Sequence, residues 1–227
     1  MRYYGKMEKN FEKAAWQKKS YVCGIDEVGR GCLSGPLIAA SAILPQKANK
    51  KFLKDSKLIT KIQREKAYNW IVNNCFYSCV IIDNKTIDKK NIYQATRYAM
   101  KKSFIQIVEL VPFDIKSIKY LITDAVSIEL PDYYLSCGLE LYNPTHAESI
   151  SKSVAAASII AKVTRDRLMS KFSILFPGFS LENHKGYGTR THISAINNNG
   201  TSIIHRKSFV SNLIKKSSDK HEQQTFI

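Results

Sequence analysis

The chain reads as an α/β domain on three observations: short apolar runs of strand character alternate with segments of helical periodicity, carboxylates follow the apolar runs, and neither a repeat nor a low-complexity linker divides the sequence. That arrangement places a site at one edge of a sheet, beyond the strand ends. The expected organisation is a basic leader over residues 1–20, one domain over 21–213 and a polar tail over 214–227.

The elements follow in order. In YVCGIDEVGRGCLSGP, Tyr21 to Ile25 is a short apolar strand, a glycine-rich turn follows, and PLIAASAIL from Pro36 to Leu44 is a second strand. Together they predict a hairpin with Asp26 to Gly35 at its tip. Neighbouring strand residues point to opposite faces, so Asp26 and Glu27 serve one site only if regular strand geometry ends there; Gly29, Gly31 and Gly35 suit such an ending. Thr60 with Gln63 spells a capping box for a helix to Asn74, with Ala67, Trp70 and Ile71 on one face, and FYSCVII is the next strand. A second helix covers Ile92 to about Ile107, and KYLIT from Lys119 is a buried strand ending at Asp124. From Ser153 to Phe172 runs a long helix whose Ala155, Ala156, Ala157 and Ser158 allow another backbone or a ligand to approach closely, close packing being the plainer reading for most of them.

Composition narrows the function. Lys and Arg number 35 against 19 acids, and a charge of +16 favours polyanionic partners, nucleic acid above all, over the plainer reading of a basic protein kept soluble by its charge. Five cysteines form no metal spacing and are expected reduced. The N-terminus lacks an apolar signal segment and no long apolar run occurs, so a cytoplasmic protein is expected. Carboxylates gathered at strand ends repel one another, and a divalent cation offsets that repulsion. Oxygen donors of this kind suit magnesium or manganese; His146, His184, His192 and His205 are scattered without zinc spacing.

GIDEVGRGCLSGP resembles the ribonuclease HII family, and later blocks continue the resemblance in order: DSK at Asp55, IDKKNIYQATRYAM at Ile87, LITDA at Leu121, VAAASIIAKVTRD at Val154, HKGYGTRTH at His184 and HRKSF at His205. It covers Tyr21 to about Phe209. The resemblance implies an RNase H-like fold, a central mixed β-sheet flanked by helices with a C-terminal helical extension. It also implies hydrolysis of RNA in RNA–DNA hybrids and cleavage 5′ of ribonucleotides embedded in DNA, giving 3′-hydroxyl and 5′-phosphate ends and serving ribonucleotide removal. Two Mg2+ or Mn2+ ions are implied, Asp26 bridging them and Glu27, Asp124 and Glu148 completing their shells.

Glu148 stands where the family pattern has Asp, and Asp132 or Glu140 remain alternatives for that place. Gly29, Arg30 and Gly31 are implied to read the ribonucleotide 2′-hydroxyl, and Tyr187 to stack on the following deoxyribose. Lys57, Ser158 and Lys162 are weaker candidates for phosphate contact, while His192 and His205 read as packing or hydrogen-bonding residues. Cys32, where the family often has Pro, is expected to loosen the turn. Ribonuclease HIII is the runner-up, set aside for its extra N-terminal domain; a hybrid-binding module without catalysis is the reading from another class. The expected protein is a monomer acting on hybrid duplexes, with no membrane. EQQTFI at the C-terminus resembles short peptides that dock on sliding clamps, beside the plainer reading of a frayed tail.

Overall fold

The structure is a computed structural model and describes residues 10–46, 48, 53, 56 and 58–212. In chain order the elements are α1 (Phe11–Gln17), β1 (Tyr21–Val28), β2 (Leu37–Ile43), α2 (Lys61–Asn74), β3 (Phe76–Ile82), α3 (Asn84–Lys90), α4 (Ile92–Leu110) and β4 (Ile118–Thr123). After them come α5 (Asp132–Ser136), β5 (Glu140–Tyr142), α6 (Lys152–Leu175), α7 (Leu181–His184) and α8 (Arg190–Asn199). The chain divides into two compact units. The first holds the described residues of Met1–Val28, Ile38–Ile81 and Thr96–Arg165, the second those of Gly29–Leu37, Ile82–Ala95 and Asp166–Ile227.

A mixed sheet ordered β3-β2-β1-β4-β5 spans the first unit. β1 and β2 pair antiparallel, as the hairpin reading requires, whereas β4 lies parallel to β1 and β5 parallel to β4. Ile38, Ala40 and Ala42 pack with Ala67 and Ile71 of α2 and with Ala156, Ala157 and Ile160 of α6. The alternate residue Ser41 turns the other way, where its hydroxyl donates to the carbonyl of Ser103 on α4 at 3.0 Å. Period-2 alternation thus puts helices on both faces of β2, which explains why every residue of that strand is buried.

Residues read as a basic leader contribute α1 to this core. Phe11 and Ala15 are fully buried, and the Phe11 ring meets those of Tyr120 and Tyr142 at centroid distances of 5.3 and 4.9 Å. The Glu12 carboxylate accepts from Ser151 Oγ at 2.7 Å and from the Ser153 N–H at 2.9 Å, satisfying donors at the start of α6. Thr60 and Gln63 do form the capping box of α2. The polar tail, its EQQTFI peptide included, lies outside the described residues, as do Asp55 and Lys57.

The second unit has its own core, in which Leu33, Met169, Phe179, Leu181, Ile196, Ile204 and Val210 are buried together. Beside it His184, His192 and His205 are buried, and their hydrogen-bond partners assign their tautomers. Ser202 N–H donates to His205 Nδ1 at 2.9 Å, so the ring proton of His205 is on Nε2 and points to His192 Nε2 at 3.1 Å. His192 therefore carries its proton on Nδ1 and donates it to the Tyr187 carbonyl at 2.9 Å. Gly186 N–H likewise donates to His184 Nδ1, leaving Nε2–H for the Phe179 carbonyl. Burial holds His192 below the ordinary imidazole range; burial and then its His192 neighbour hold His205 down at about 4.

Two outcomes follow. A Cβ at Gly24 would lie 2.1 Å from Val154 N and 2.2 Å from Ser153 C, backbone atoms of α6 that cannot step aside. Gly24→Ala is expected to lower unfolding free energy by about 3 kcal/mol in urea titrations. For the histidines, the unfolded ring takes its proton near 6.5 and the folded His205 only near 4. Between those values the unfolded state binds more protons, so this stability is complete above pH 6.5 and is lost as pH falls toward 4. Melting followed from pH 7.5 to pH ~4.5 should show a loss on the order of 2 kcal/mol that His205→Gln reduces.

Candidate active site

Parallel pairing between β1 and β4 ends at Ile25 with Thr123. The next residue on each strand is an acid, Asp26 on one and Asp124 on the other, so the ladder itself brings two sequence-distant carboxylates to one strand edge. β1, however, does not stop where the sequence reading ended it. It keeps pairing with β2 to Val28, with Asp26 opposite Ala40 and Glu27 opposite Ala39. The two acids consequently leave the strand on opposite faces, against the expectation that regular geometry ends at Asp26. What joins them is local: the Asp26 carboxylate turns back to accept the Glu27 N–H at 2.8 Å.

Asp26 shares a face with Ala40 and therefore meets α6, whose Ser158 hydroxyl hydrogen-bonds its carboxylate. Ser158 Oγ is in turn 2.9 Å from Ser56 Oγ, the middle residue of the DSK block. Ser158 is buried and engaged on both sides, which makes it a support for Asp26. Burial first, then the Glu27 charge and finally that of Asp124 push the Asp26 carboxyl up, while the Ser158 and Glu27 hydrogen bonds oppose them; the balance lies at about 8.

Asp124 accepts the Ala147 N–H at 3.0 Å, and this bond ties the residue before Glu148 to the end of β4. Ala125 and His146 adopt left-handed backbone at φ 52° and 57°, a conformation that strains residues with a Cβ, and Ala125 N–H reaches the Pro144 carbonyl at 3.0 Å. The strained turns flank the acids: one follows Asp124 directly and the other precedes Glu148 by two residues. The Glu148 side chain is 12% exposed and lies 3.8 Å from His146 Nδ1. Of the alternatives, Glu140 is held by Lys119 at 2.6 Å and by the Tyr142 hydroxyl at 2.9 Å, and Asp132 is exposed at the start of α5. Glu148 is the one of the three that is tied, through Ala147, to Asp124 at the end of β4.

These donors suit a hard divalent cation. They are carboxylates, and their mutual charge adds to burial in raising Asp26. Among the described residues no three acids or histidines already converge on a single point, so an ion would draw the side chains together.

In the second unit Gly29 has a left-handed φ of 94°, Arg30 is half-buried and Gly31 is exposed. A Cβ on Gly31 would meet nothing within 4 Å, which leaves open space over the loop backbone. Tyr187 is 39% exposed. Its backbone bridges to Cys32, which is fully buried with its thiol 3.9 Å from the Lys185 carbonyl, so Cys32 is an anchored residue of the turn. Lys162 is half-buried on α6, one helical turn after Ser158. The sequence reading missed Ser56 as a support of Ser158 and Arg206 as a partner of the glycine loop; only the order of their blocks hinted at either.

A model of the family described as ribonuclease HII matches residues 23–212. Ribonuclease HII of Caldicellulosiruptor saccharolyticus is 40% identical over 213 residues, 93% of this chain and 96% of that protein. Among solved structures, RNase HII of Archaeoglobus fulgidus in a complex with PCNA shares the fold at a TM-score of 0.65 and 23% identity, covering 84% of this chain and 94% of that one. Bst-RNase HIII in complex with Mn2+ does so at 0.60 and 20%, covering 82% and 65%. The breadth of the match, from 23 to 212, means that the chain belongs to the ribonuclease HII family.

Proposed function

We propose that this RNase H enzyme, besides hydrolysing the RNA strand of RNA–DNA hybrids, cuts 5′ of single ribonucleotides in duplex DNA and leaves 3′-hydroxyl and 5′-phosphate ends. The observation that carries the reading is the placement of Asp26 and Asp124 one residue past the last β1–β4 rung, with Ser158 holding Asp26 from α6. Family membership supplies the substrate class, and the acids supply the chemistry.

Asp26, Glu27, Asp124 and Glu148 would hold two Mg2+ or Mn2+ ions; the Mn2+ complex of Bst-RNase HIII supports the choice of ion class. Such ions would make an attacking water more acidic and offset the charge on the leaving oxygen of an in-line displacement. The chain's own part is to hold the donors. Ser158 and the Glu27 amide fix one Asp26 rotamer, and the Ala147 amide fixes Asp124. Gly29, Arg30 and Gly31 read the 2′-hydroxyl, with loop amides and carbonyls free of a Cβ at Gly31 to approach the sugar. Tyr187 offers an exposed ring for stacking on the next sugar, and Lys162 and Lys57 serve phosphates.

The expected partners are hybrid duplexes and ribonucleotide-containing DNA, and no described helix is long and apolar enough to cross a membrane. The Archaeoglobus fulgidus complex with PCNA supports a clamp as partner for the EQQTFI tail.

A DNA duplex carrying one ribonucleotide tests this reading. With Mg2+ or Mn2+ the protein should nick on the 5′ side of the ribonucleotide, and Asp26→Asn should slow nicking about a thousandfold. Binding without a nick above that variant, with either ion, would establish the hybrid-binding module instead. Glu148→Ala should lose about ten- to a hundredfold, and full activity in that variant would hand the fourth place to another acid.

A further inference from the structure

Carbonyl oxygens of the glycine loop are taken up from inside the second unit by one side chain. Arg206 is fully buried. Its Nη2 donates to the carbonyls of Gly29 at 2.7 Å and Gly35 at 3.0 Å, its Nη1 to that of Arg30 at 2.8 Å, and its Nε to that of Gly35 at 3.1 Å. The backbone N–H of the same residue reaches the Leu33 carbonyl at 2.8 Å. A planar guanidinium with five fixed donors can bind three carbonyls in one plane, which a lysine ammonium cannot.

The preceding residue acts on the other segment. His205 pairs as a bridge with Ser34, and its Nε2–H leads through His192 to the Tyr187 carbonyl, at 3.1 and then 2.9 Å. Between the two segments, Leu33 N–H donates to the Gly186 carbonyl at 2.8 Å and Cys32 bridges to Tyr187. Two consecutive residues of one block therefore hold the glycine loop and the tyrosine turn from behind. Neither His205 nor Arg206 is exposed, so both act through the groups they hold.

We propose that His205 and Arg206 are paired positioning residues that set the register between the Gly29–Gly31 loop and Tyr187, and thereby which nucleotide of a duplex is read as the ribonucleotide. The inference rests on the roles proposed above for those segments. A buried cation kept only for stability needs no such geometry, since apolar packing of equal volume serves as well or better. Here the four hydrogen bonds just described go to backbone carbonyls of one loop, and the neighbouring histidine relay ends on the other segment.

The test uses the full chain, a duplex with one ribonucleotide and a fully hybrid duplex, each with Mn2+. Arg206→Lys should raise KM on the single-ribonucleotide duplex about tenfold and spread cuts to neighbouring phosphates of the hybrid. A mere loss of folded protein lowers apparent kcat and leaves KM and cut positions alone, and that result would overturn the inference. His205→Ala should behave like Tyr187→Ala, His205→Gln should restore the function by supplying a donor near the Nε2 position, and the double variant of Tyr187 and His205 should be no worse than Tyr187→Ala. Additive losses in that cycle would overturn the inference even if Arg206→Lys failed to fold, and non-additive losses would uphold it. Unchanged KM in both Arg30→Ala and Tyr187→Ala would instead overturn the underlying assignment of the reading segments, a result separate from any behaviour of Arg206 or His205.

Discussion

The last rung of the parallel ladder, Ile25 with Thr123, governs the rest of the acidic edge. Because the side-chain period of a strand is two, the register of β1 against β2 decides that Asp26 shares the face of Ala40, and hence of α6, while Glu27 leaves on the other. A slip of one residue would exchange the two acids and bury Glu27 against Ser158. The place of Gly24 prevents it, since Cys23 or Ile25 there would put a side chain where a Cβ would already lie 2.1 Å from Val154 N. Placement of a charged pair is in this way enforced by the close approach of a helix backbone.

Close packing of α6 against β1 has an electrostatic result. Gly24 lies two residues before Asp26, on the same face, and the backbone of Ser153 and Val154 occupies the volume its side chain would fill. Ala155, Ala156 and Ala157 are all fully buried, so the helix comes close enough for Ser158 to reach the carboxylate. The same approach removes water from Asp26, and desolvation is the largest cause of its raised pKa. Small residues here are a packing device whose effect is read on an acid.

Much of this was legible in the sequence, and what was not has identifiable causes. Long periodic segments such as α4 and α6, the capping box of α2 and the β1–β2 hairpin were readable because local spacing and propensity agree with the fold. The end of β1 was misread because glycines signal a turn only from Gly29 onward, while Asp26 and Glu27 have β2 as a partner that propensity cannot see. Short elements such as α1, β5 and α7 carry too few residues to show a period; α1 depends on Phe11 packing against Tyr120 and Tyr142, and Glu12 depends on Ser151, 139 positions away. Arg206 was illegible for a different reason. In a chain with 35 basic residues nothing local marks Arg206 as a residue whose donors face the carbonyls of the glycine loop.

That contrast between surface charge and buried donors bears on how a single hydroxyl can be recognised. A net charge of +16 draws any polyanion, and such attraction falls steeply with salt and carries no information about the sugar. His192 and His205 add nothing to it near neutral pH, because burial keeps them uncharged, and the Arg206 charge is spread over backbone carbonyls inside the core. What the glycine loop offers a ligand is therefore fixed backbone, oriented by neutral or sequestered groups, over the open space at Gly31. Discriminating a 2′-hydroxyl requires donors and acceptors held to within a fraction of an ångström, since a mobile charge satisfies either sugar equally well. On the proposed function, affinity and discrimination would reside in different atoms of this chain, the first in exposed lysines and arginines and the second in loop backbone whose inward carbonyls Arg206 holds still.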